Sequence, residues 1–122
     1  MWNTYLGRRV KGGGYAIKGA FLLIKREPSI QVQSLIAVGI TIAGFYFDIT
    51  ATEWMLQTLA IGLVLGLESL NTAVEEIADF VHPDIHAKIG LLKDFAAGAV
   101  FFGAISAVIV GCIIYYPYLS GL

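Results

Sequence analysis

Residues 95–116 read FAAGAVFFGAISAVIVGCIIYY without one charged side chain, and the uncharged stretch continues to residue 122. A helix needs about 20 apolar residues to cross roughly 30 Å of hydrocarbon. A segment surrounded by lipid must also satisfy its own backbone hydrogen bonds, which makes it a helix. Toward the N-terminus, residues 28–47 are equally uncharged, with Ile36, Val38, Ile40, Ile42 and Phe45 in their outer half. Residues 54–67 form a third such stretch, and it reaches 74 if Glu68 is tolerated within it. The polar segment 48–53 is too short for anything but a turn. The expected fold is all-α integral membrane: an N-terminal amphipathic surface helix plus three transmembrane helices. One domain covers 1–122, with the surface helix at about 4–26 and spans at about 28–47, 54–74 and 95–116.

Composition excludes the main alternatives. The 122 residues are 57% hydrophobic and 14% charged, against about 45–50% and about 25% in soluble domains, and the mean hydropathy is +0.76. A 13.2 kDa chain buries too little of itself to hide that much apolar surface from water. A single cysteine leaves no disulfide scaffold. A net charge of −1 gives no electrostatic case for nucleic acid. No short apolar run with an A-x-A exit marks a cleaved secretory signal.

Before the first uncharged stretch, Leu6, Val10, Gly13, Ile17, Phe21 and Ile24 recur every three or four residues and share one helix face. Arg8, Lys11 and Lys18 cluster on another. This pattern predicts a helix lying among lipid headgroups. Gly12, Gly13 and Gly14 weaken it, at about 1 kcal/mol each, and Pro28 marks the bend into the first span. Of the 8 Lys and Arg, six precede that span and two, Lys88 and Lys93, lie between the second and third. Cationic loops stay cytoplasmic. The N-terminus and the second loop are therefore expected in the cytoplasm and the C-terminus outside.

The chemistry concentrates in residues 68–79, ESLNTAVEEIAD. Glu68, Asn71, Glu75 and Asp79 fall within an arc of about 80° on a helix and extend about 16 Å along it. One end of this stripe lies inside an apolar span and the other at its cytoplasmic edge. A carboxylate at membrane depth costs roughly 2.5–3.5 kcal/mol and points to function; the alternative is an interhelical hydrogen bond holding an oligomer. Glu27, before the first span, and Lys93-Asp94, before the third, face the same compartment. Their bland readings are a solvated partner of Arg26, a snorkelling lysine and an N-cap aspartate. Together the set offers carboxylates for a hard cation, a lysine for a phosphate and a buried glutamate. Mg²⁺ is held by one or two carboxylates plus phosphate oxygens, and phosphoryl transfer needs little more than positioning and charge. No G-x-x-x-x-G-K-S/T loop and no kinase glycine loop is present.

Glu68-x-x-Asn71-Thr72-Ala73-Val74-Glu75-x-x-x-Asp79, followed by Lys93-Asp94-x-Ala96-Ala97-Gly98-Ala99-Val100, resembles the signature of the prokaryotic diacylglycerol kinase family, which includes the undecaprenol kinases. The resemblance runs from about Arg8 to the end of the third span. It implies a small trimeric membrane kinase that moves the γ-phosphate of Mg-ATP to a lipid alcohol at sites shared between protomers. Carried over, it makes Glu68 the catalytic base and Glu27 and Glu75 the Mg²⁺ ligands. Lys93 becomes the γ-phosphate contact, with Asp94 beside it. Arg8, Tyr15, Asp84, Ile85 and His86 match further nucleotide contacts, and Asn71 and Asp79 take orienting and structural roles. The KDFAAGAV run and Glu53-Trp54 look like the undecaprenol branch. Gln33 and Ala97 stand where the diacylglycerol branch has an acidic residue and a serine. Undecaprenol is thus the expected acceptor, with diacylglycerol the alternative. Location in a bacterial inner membrane follows from the same resemblance.

Other features carry less. His82 and His86 have metal-pair spacing, but Pro83 between them opposes a regular helix. Cys112 reads as a small hydrophobe, and Trp54, Tyr115, Tyr116 and Tyr118 as interfacial anchors. Gly98, Gly103 and Gly111 read as close-approach points between helices. A different class, the small proton-coupled exporter, also places a carboxylate in the membrane, and an oligomeric scaffold would need no nucleotide at all.

Overall fold

The computed structural model describes residues 4–121, which form four helices: α1 (Tyr5–Arg26), α2 (Pro28–Phe47), α3 (Ala51–Val81) and α4 (Ala87–Ser120). The ends of the expected domain, residues 1–3 and 122, lie outside the described residues. Each boundary has a local cause. The Thr4 hydroxyl accepts the Gly7 N–H at 3.1 Å and caps α1, which runs unbroken through Gly12–Gly14. Glu27 breaks the chain with an extended backbone, and Pro28, lacking an N–H, occupies the first turn of α2. Gln31 donates from Nε2 to the Lys25 carbonyl at 3.1 Å, satisfying an acceptor that the end of α1 leaves open.

At the far end of α2, Asp48 adopts the left-handed conformation (φ 51°), tolerated by Asp because its short side chain bonds locally. The Ile49 N–H returns to the Gly44 carbonyl at 3.1 Å. Thr50 then caps α3 reciprocally with Glu53: the Glu53 N–H donates to Thr50 Oγ1 at 3.2 Å and the Thr50 N–H to Glu53 Oε1 at 3.0 Å. The connection is therefore 48–50, shorter than the 48–53 expected, because Glu53 closes the first helical turn.

Helices α2, α3 and α4 are long and apolar enough to cross a membrane. With 31 and 34 residues, α3 and α4 extend about 46 and 51 Å, well beyond the roughly 30 Å of hydrocarbon. The spans expected at 54–74 and 95–116 are segments of these longer helices. Most large apolar side chains face outward, Phe45 at 74%, Leu59 at 70% and Phe102 at 73% exposure. The small core sits at one end, where Ile49, Ile114 and Tyr115 pack with Phe47, Trp54 and Tyr118.

Polar groups fasten that end. Tyr115 Oη donates to Gln57 Oε1 at 2.5 Å and lies 3.2 Å from the Ile40 carbonyl, which Gln57 Nε2 also reaches at 3.4 Å. Tyr118 Oη donates to Glu53 Oε1 at 2.5 Å. Tyr115 is buried, so it is an interhelical tie and not the interfacial anchor expected from sequence; Tyr116, 71% exposed, keeps that reading. A Cβ on Gly44 would stand 2.6 Å from the Trp54 ring, and one on Gly103 would stand 2.6 Å from Leu67 Cδ1. Gly103 thus permits close approach, whereas Gly98 and Gly111 meet nothing within 4 Å among the described residues.

Candidate functional site

Three pairings fix how α3 and α4 run past one another: Gln57 with Tyr115, Leu67 against Gly103, and Asp79 with Lys93. The helices are antiparallel with one register throughout. The acidic stripe therefore lies on the half of α3 away from the core, beside the N-terminal half of α4. Helix pitch places Glu68, Asn71, Glu75 and Asp79 in line, as the spacing requires.

The decisive contact is between helices. Lys93 Nζ of α4 meets Asp79 Oδ1 of α3 at 2.7 Å. This bond holds the lysine ammonium above its ordinary range, with the Glu75 charge acting in the same direction; Lys93 lies outside the apolar run that begins at Phe95. Two turns of α3 toward the core, Asn71 Nδ2 donates to Glu75 Oε1 at 3.2 Å. Asn71 Oδ1 is buried and has no partner among the described residues. Glu68, half-buried, also makes no side-chain hydrogen bond or ion pair among them. It stands next to Leu67, the residue that packs on Gly103.

Glu27 occupies the bend between α1 and α2 and is half-buried. The contacts of Gly44 with Trp54 and of Ile40 with Gln57 set α2 against α3. Counted inward from those pairs, Glu27 comes level with Asn71, between Glu68 and Glu75. No hydrogen bond or ion pair joins Glu27, Glu68 or Asp94 to Asn71, Glu75 or Asp79 among the described residues. Asp94 is the eighth residue of α4, so the N-cap reading fails; His86 caps this helix, its Nδ1 accepting the Lys88 N–H at 3.2 Å.

The loop 82–86 breaks where Pro83 demands it. His82 Nδ1–H donates to the Asp84 carbonyl at 2.9 Å, and the His82 and His86 rings meet at 4.9 Å between centroids with their planes tilted by 60°. Ile85 is fully exposed. On α1, Arg8 and Tyr15 are exposed, with Lys11 Nζ 6.0 Å from the Tyr15 ring centroid.

Among the described residues no three His, Cys, Asp or Glu side chains converge on a metal position. The donor set still suits a hard cation of the Mg²⁺ type, which takes one or two carboxylates and completes its shell with phosphate and water. Glu75 is exposed and has one oxygen engaged by Asn71, so its second oxygen is available for such an ion. Sequence reasoning missed the Gln57–Tyr115 and Glu53–Tyr118 ties. The available signal was a lone glutamine inside an otherwise apolar stretch.

Known proteins resemble this chain over most of its length. The family described as prokaryotic diacylglycerol kinase matches residues 14–115. An undecaprenol kinase of Bacillus subtilis (strain 168) is 34% identical over 114 residues, covering 93% of each chain. A diacylglycerol kinase of Escherichia coli (strain K12) is 27% identical over 118 residues, 97% of each. One from Synechocystis sp. (strain ATCC 27184 / PCC 6803 / Kazusa) is 34% identical over 108 residues, 87% of this chain and 62% of that protein. The chain belongs to the prokaryotic diacylglycerol kinase family, and is accordingly a membrane lipid kinase that uses ATP.

Proposed function

We propose that this kinase phosphorylates undecaprenol, drawing on a site that neighbouring protomers of a homotrimer complete. The observation that carries the reading is the 2.7 Å Asp79–Lys93 pair, which ties a phosphate-binding cation to the same helix face as Glu68 and Glu75. Glu68 lies about 16 Å along α3 from Asp79, deep enough to meet a lipid hydroxyl while the cation stays at the water boundary. In this reading the Glu68 carboxylate accepts the hydroxyl proton as the alcohol oxygen attacks the γ-phosphorus of ATP, the bond from that phosphorus to the β–γ bridging oxygen breaks, and ADP leaves with the bridging oxygen. Asn71 orients Glu75, and Asp79 orients Lys93 toward the γ-phosphate, with Asp94 beside it. Glu27 and Glu75 would hold Mg²⁺, which when bound neutralises phosphate charge. Arg8, Tyr15, Asp84, Ile85 and His86 would contact the nucleotide.

Among the described residues of one chain no three His, Cys, Asp or Glu side chains converge on a metal position, which supports shared sites, because a neighbour's Glu27 can supply the second ligand. The whole chain, 1–122, would act as a single domain. α1 would lie in the headgroup layer, since Leu6, Val10, Ile17 and Phe21 on its apolar face are all more than half exposed. Basic residues on α1 and before α4 favour a cytoplasmic N-terminus and site, an outside C-terminus and a bacterial inner membrane. The undecaprenol kinase relative favours that acceptor over diacylglycerol, and Gln33 and Ala97 lean the same way.

The test is Glu68→Gln in the trimer, assayed by transfer of label from γ-labelled ATP to undecaprenol and to diacylglycerol. Turnover of undecaprenol by the parent and its loss in the variant, with assembly intact, is the expected result. Unchanged turnover in the variant removes the assigned base, and proton-driven transport without ATP would identify an exporter instead.

A further inference from the structure

The end of the bundle that holds the core carries charge of one sign. Within residues 28–67 and 95–122 the only charged side chains are Asp48 and Glu53, and neither range holds a Lys, Arg or His. No ion pair reaches Glu53 among the described residues. Its two hydrogen bonds both fall on Oε1, which accepts the Thr50 N–H at 3.0 Å and the Tyr118 hydroxyl at 2.5 Å. Oε2 takes no hydrogen bond among the described residues, so a proton can be added there without displacing either donor.

Both helix ends depend on that one oxygen. Glu53 closes the first turn of α3, where its negative charge suits the positive end of the helix. Tyr118 follows Pro117, whose nitrogen has no hydrogen for the Ile113 carbonyl, so the last turn of α4 has a gap in its backbone ladder. The Tyr118 ring lies 5.8 Å from that of Phe47. Trp54, next to Glu53 in sequence, packs against Gly44 and lies 4.8 Å from the Phe45 ring. The Tyr118 bond thus joins a weakened last turn to a capped first turn over a cluster of aromatic rings.

We propose that Glu53 and Tyr118 form an acid-released clamp on the membrane face opposite the acidic stripe, closed while Glu53 is ionised and opened when the fluid at that face protonates it. Hydrogen bonds to an ionised group are about twice as strong as neutral ones. One proton on Oε2 therefore weakens the Tyr118 bond, the Thr50 cap and the helix-end attraction together. The Tyr118 bond, followed by the Thr50 cap, holds the Glu53 carboxyl below its ordinary range. A carboxyl lowered in this way adds stability above its unfolded value, about 4.3, and loses it as pH falls through the folded value. The titratable groups facing Glu53 are Tyr115 and Tyr118 of α4 and Asp48 of the turn. The bond to Glu53, then burial and the charges of Glu53 and Asp48, push the Tyr118 hydroxyl up, so it stays a donor throughout. Tyr115 gives its hydrogen to Gln57 and does not replace it. The clamp is independent of the acceptor lipid; only its facing the fluid outside the cell rests on the orientation proposed above.

The experiment uses Glu53→Gln, whose amide imitates the protonated carboxyl, and Tyr118→Phe, which removes the donor. Parent and variants carry Trp2→Phe, leaving Trp54 as the sole indole. Unfolding midpoint and Trp54 emission are read in mixed micelles from about pH 7 to about pH 3, a range that spans the glutamate titration. At neutral pH each variant should unfold about 2–4 °C below the parent. Below about pH 4 the parent should fall to within about 1 °C of Glu53→Gln, and its Trp54 emission should shift to the red, a shift that Glu53→Gln does not show. Asp48 and the other acids titrate in both chains and cancel. A gap between parent and Glu53→Gln that stays constant over the range overturns the clamp. Should Glu53→Gln fail to assemble, the gap to Tyr118→Phe must narrow over the same window, and a constant gap overturns it equally. In sealed vesicles, a Trp54 response to acid on the face where ATP is consumed would place the clamp on the wrong side and overturn it too.

Discussion

Replacing Tyr115 with phenylalanine deletes one oxygen from the tie that joins three helices. Tyr115 is 8% exposed and Gln57 4%, so neither recruits water when the other is lost. The hydroxyl has one hydrogen, and the 2.5 Å contact to Gln57 Oε1 takes precedence over the 3.2 Å approach to the Ile40 carbonyl. Tyr115→Phe leaves Gln57 Oε1 buried without a donor, which costs about 1–3 kcal/mol in proteins generally. Hydrogen bonds between membrane helices average about 0.6 kcal/mol and reach about 1.7. Together these ranges give an expected loss of about 1–2 kcal/mol. Gln57→Leu should cost a similar amount by orphaning the tyrosine. The double variant removes both polar groups, so it should cost less than the sum of the two by about 1 kcal/mol or more. Reversible unfolding in mixed micelles at fixed protein-to-detergent ratio measures all four corners of the cycle. Additivity within about 0.5 kcal/mol would refute the reasoning, since it would mean that the two side chains do not depend on each other.

Two further outcomes are expected. Gly44→Ala places a methyl 2.6 Å from the rigid Trp54 ring and should destabilise by about 1–3 kcal/mol in the same unfolding assay. Gly39→Ala, with open space around its Cβ, should not, and equal effects would argue against the Trp54 contact as the cause. Lys93→Met should lower kcat/KM for ATP about a hundredfold, as loss of a charge aimed at a transferring phosphate does. Asp79→Asn should cost about tenfold, because it keeps an acceptor for Lys93 but loses the charge. The double variant should be no slower than Lys93→Met alone, because Asp79 acts through the lysine; further loss would assign Asp79 a separate role.

Sequence made the spans legible because hydropathy reports what lipid tolerates, and charged residues are absent from each apart from Glu68. It set the ends of the second and third short, while the first, 28–47, coincides with α2, because hydropathy does not report helix continuity. Residues 75–81 and 87–94 carry charge yet remain helical, since water tolerates a polar helix as readily as a loop. The glycine triplet looked like a weakness, but α1 contains it without a break. Along α3 the alignment of Glu68, Asn71, Glu75 and Asp79 was legible, because a single helix converts spacing directly into direction. Partners from other helices were not. The Asp79–Lys93 bond depends on the register of α3 against α4, which Gly103 and the Gln57–Tyr115 tie set from a distance. Tyr115 was misread for the same reason: an aromatic residue near a span end anchors in the interface only when no neighbouring helix offers it an acceptor.

The unbroken course of α3 has a mechanical consequence. From Gln57 in the core to Asp79 beside Lys93 there is no hinge, and the rise of a helix cannot be tuned by loop motion. An oil-soluble reactant and a water-soluble one never share a phase, so they can meet only where a rigid rule holds one group at each side of the boundary. Inserting one residue between positions 68 and 75 would rotate Glu75 by about 100° and leave the two carboxylates about 80° apart, which makes the spacing of that segment as consequential as the identity of its side chains.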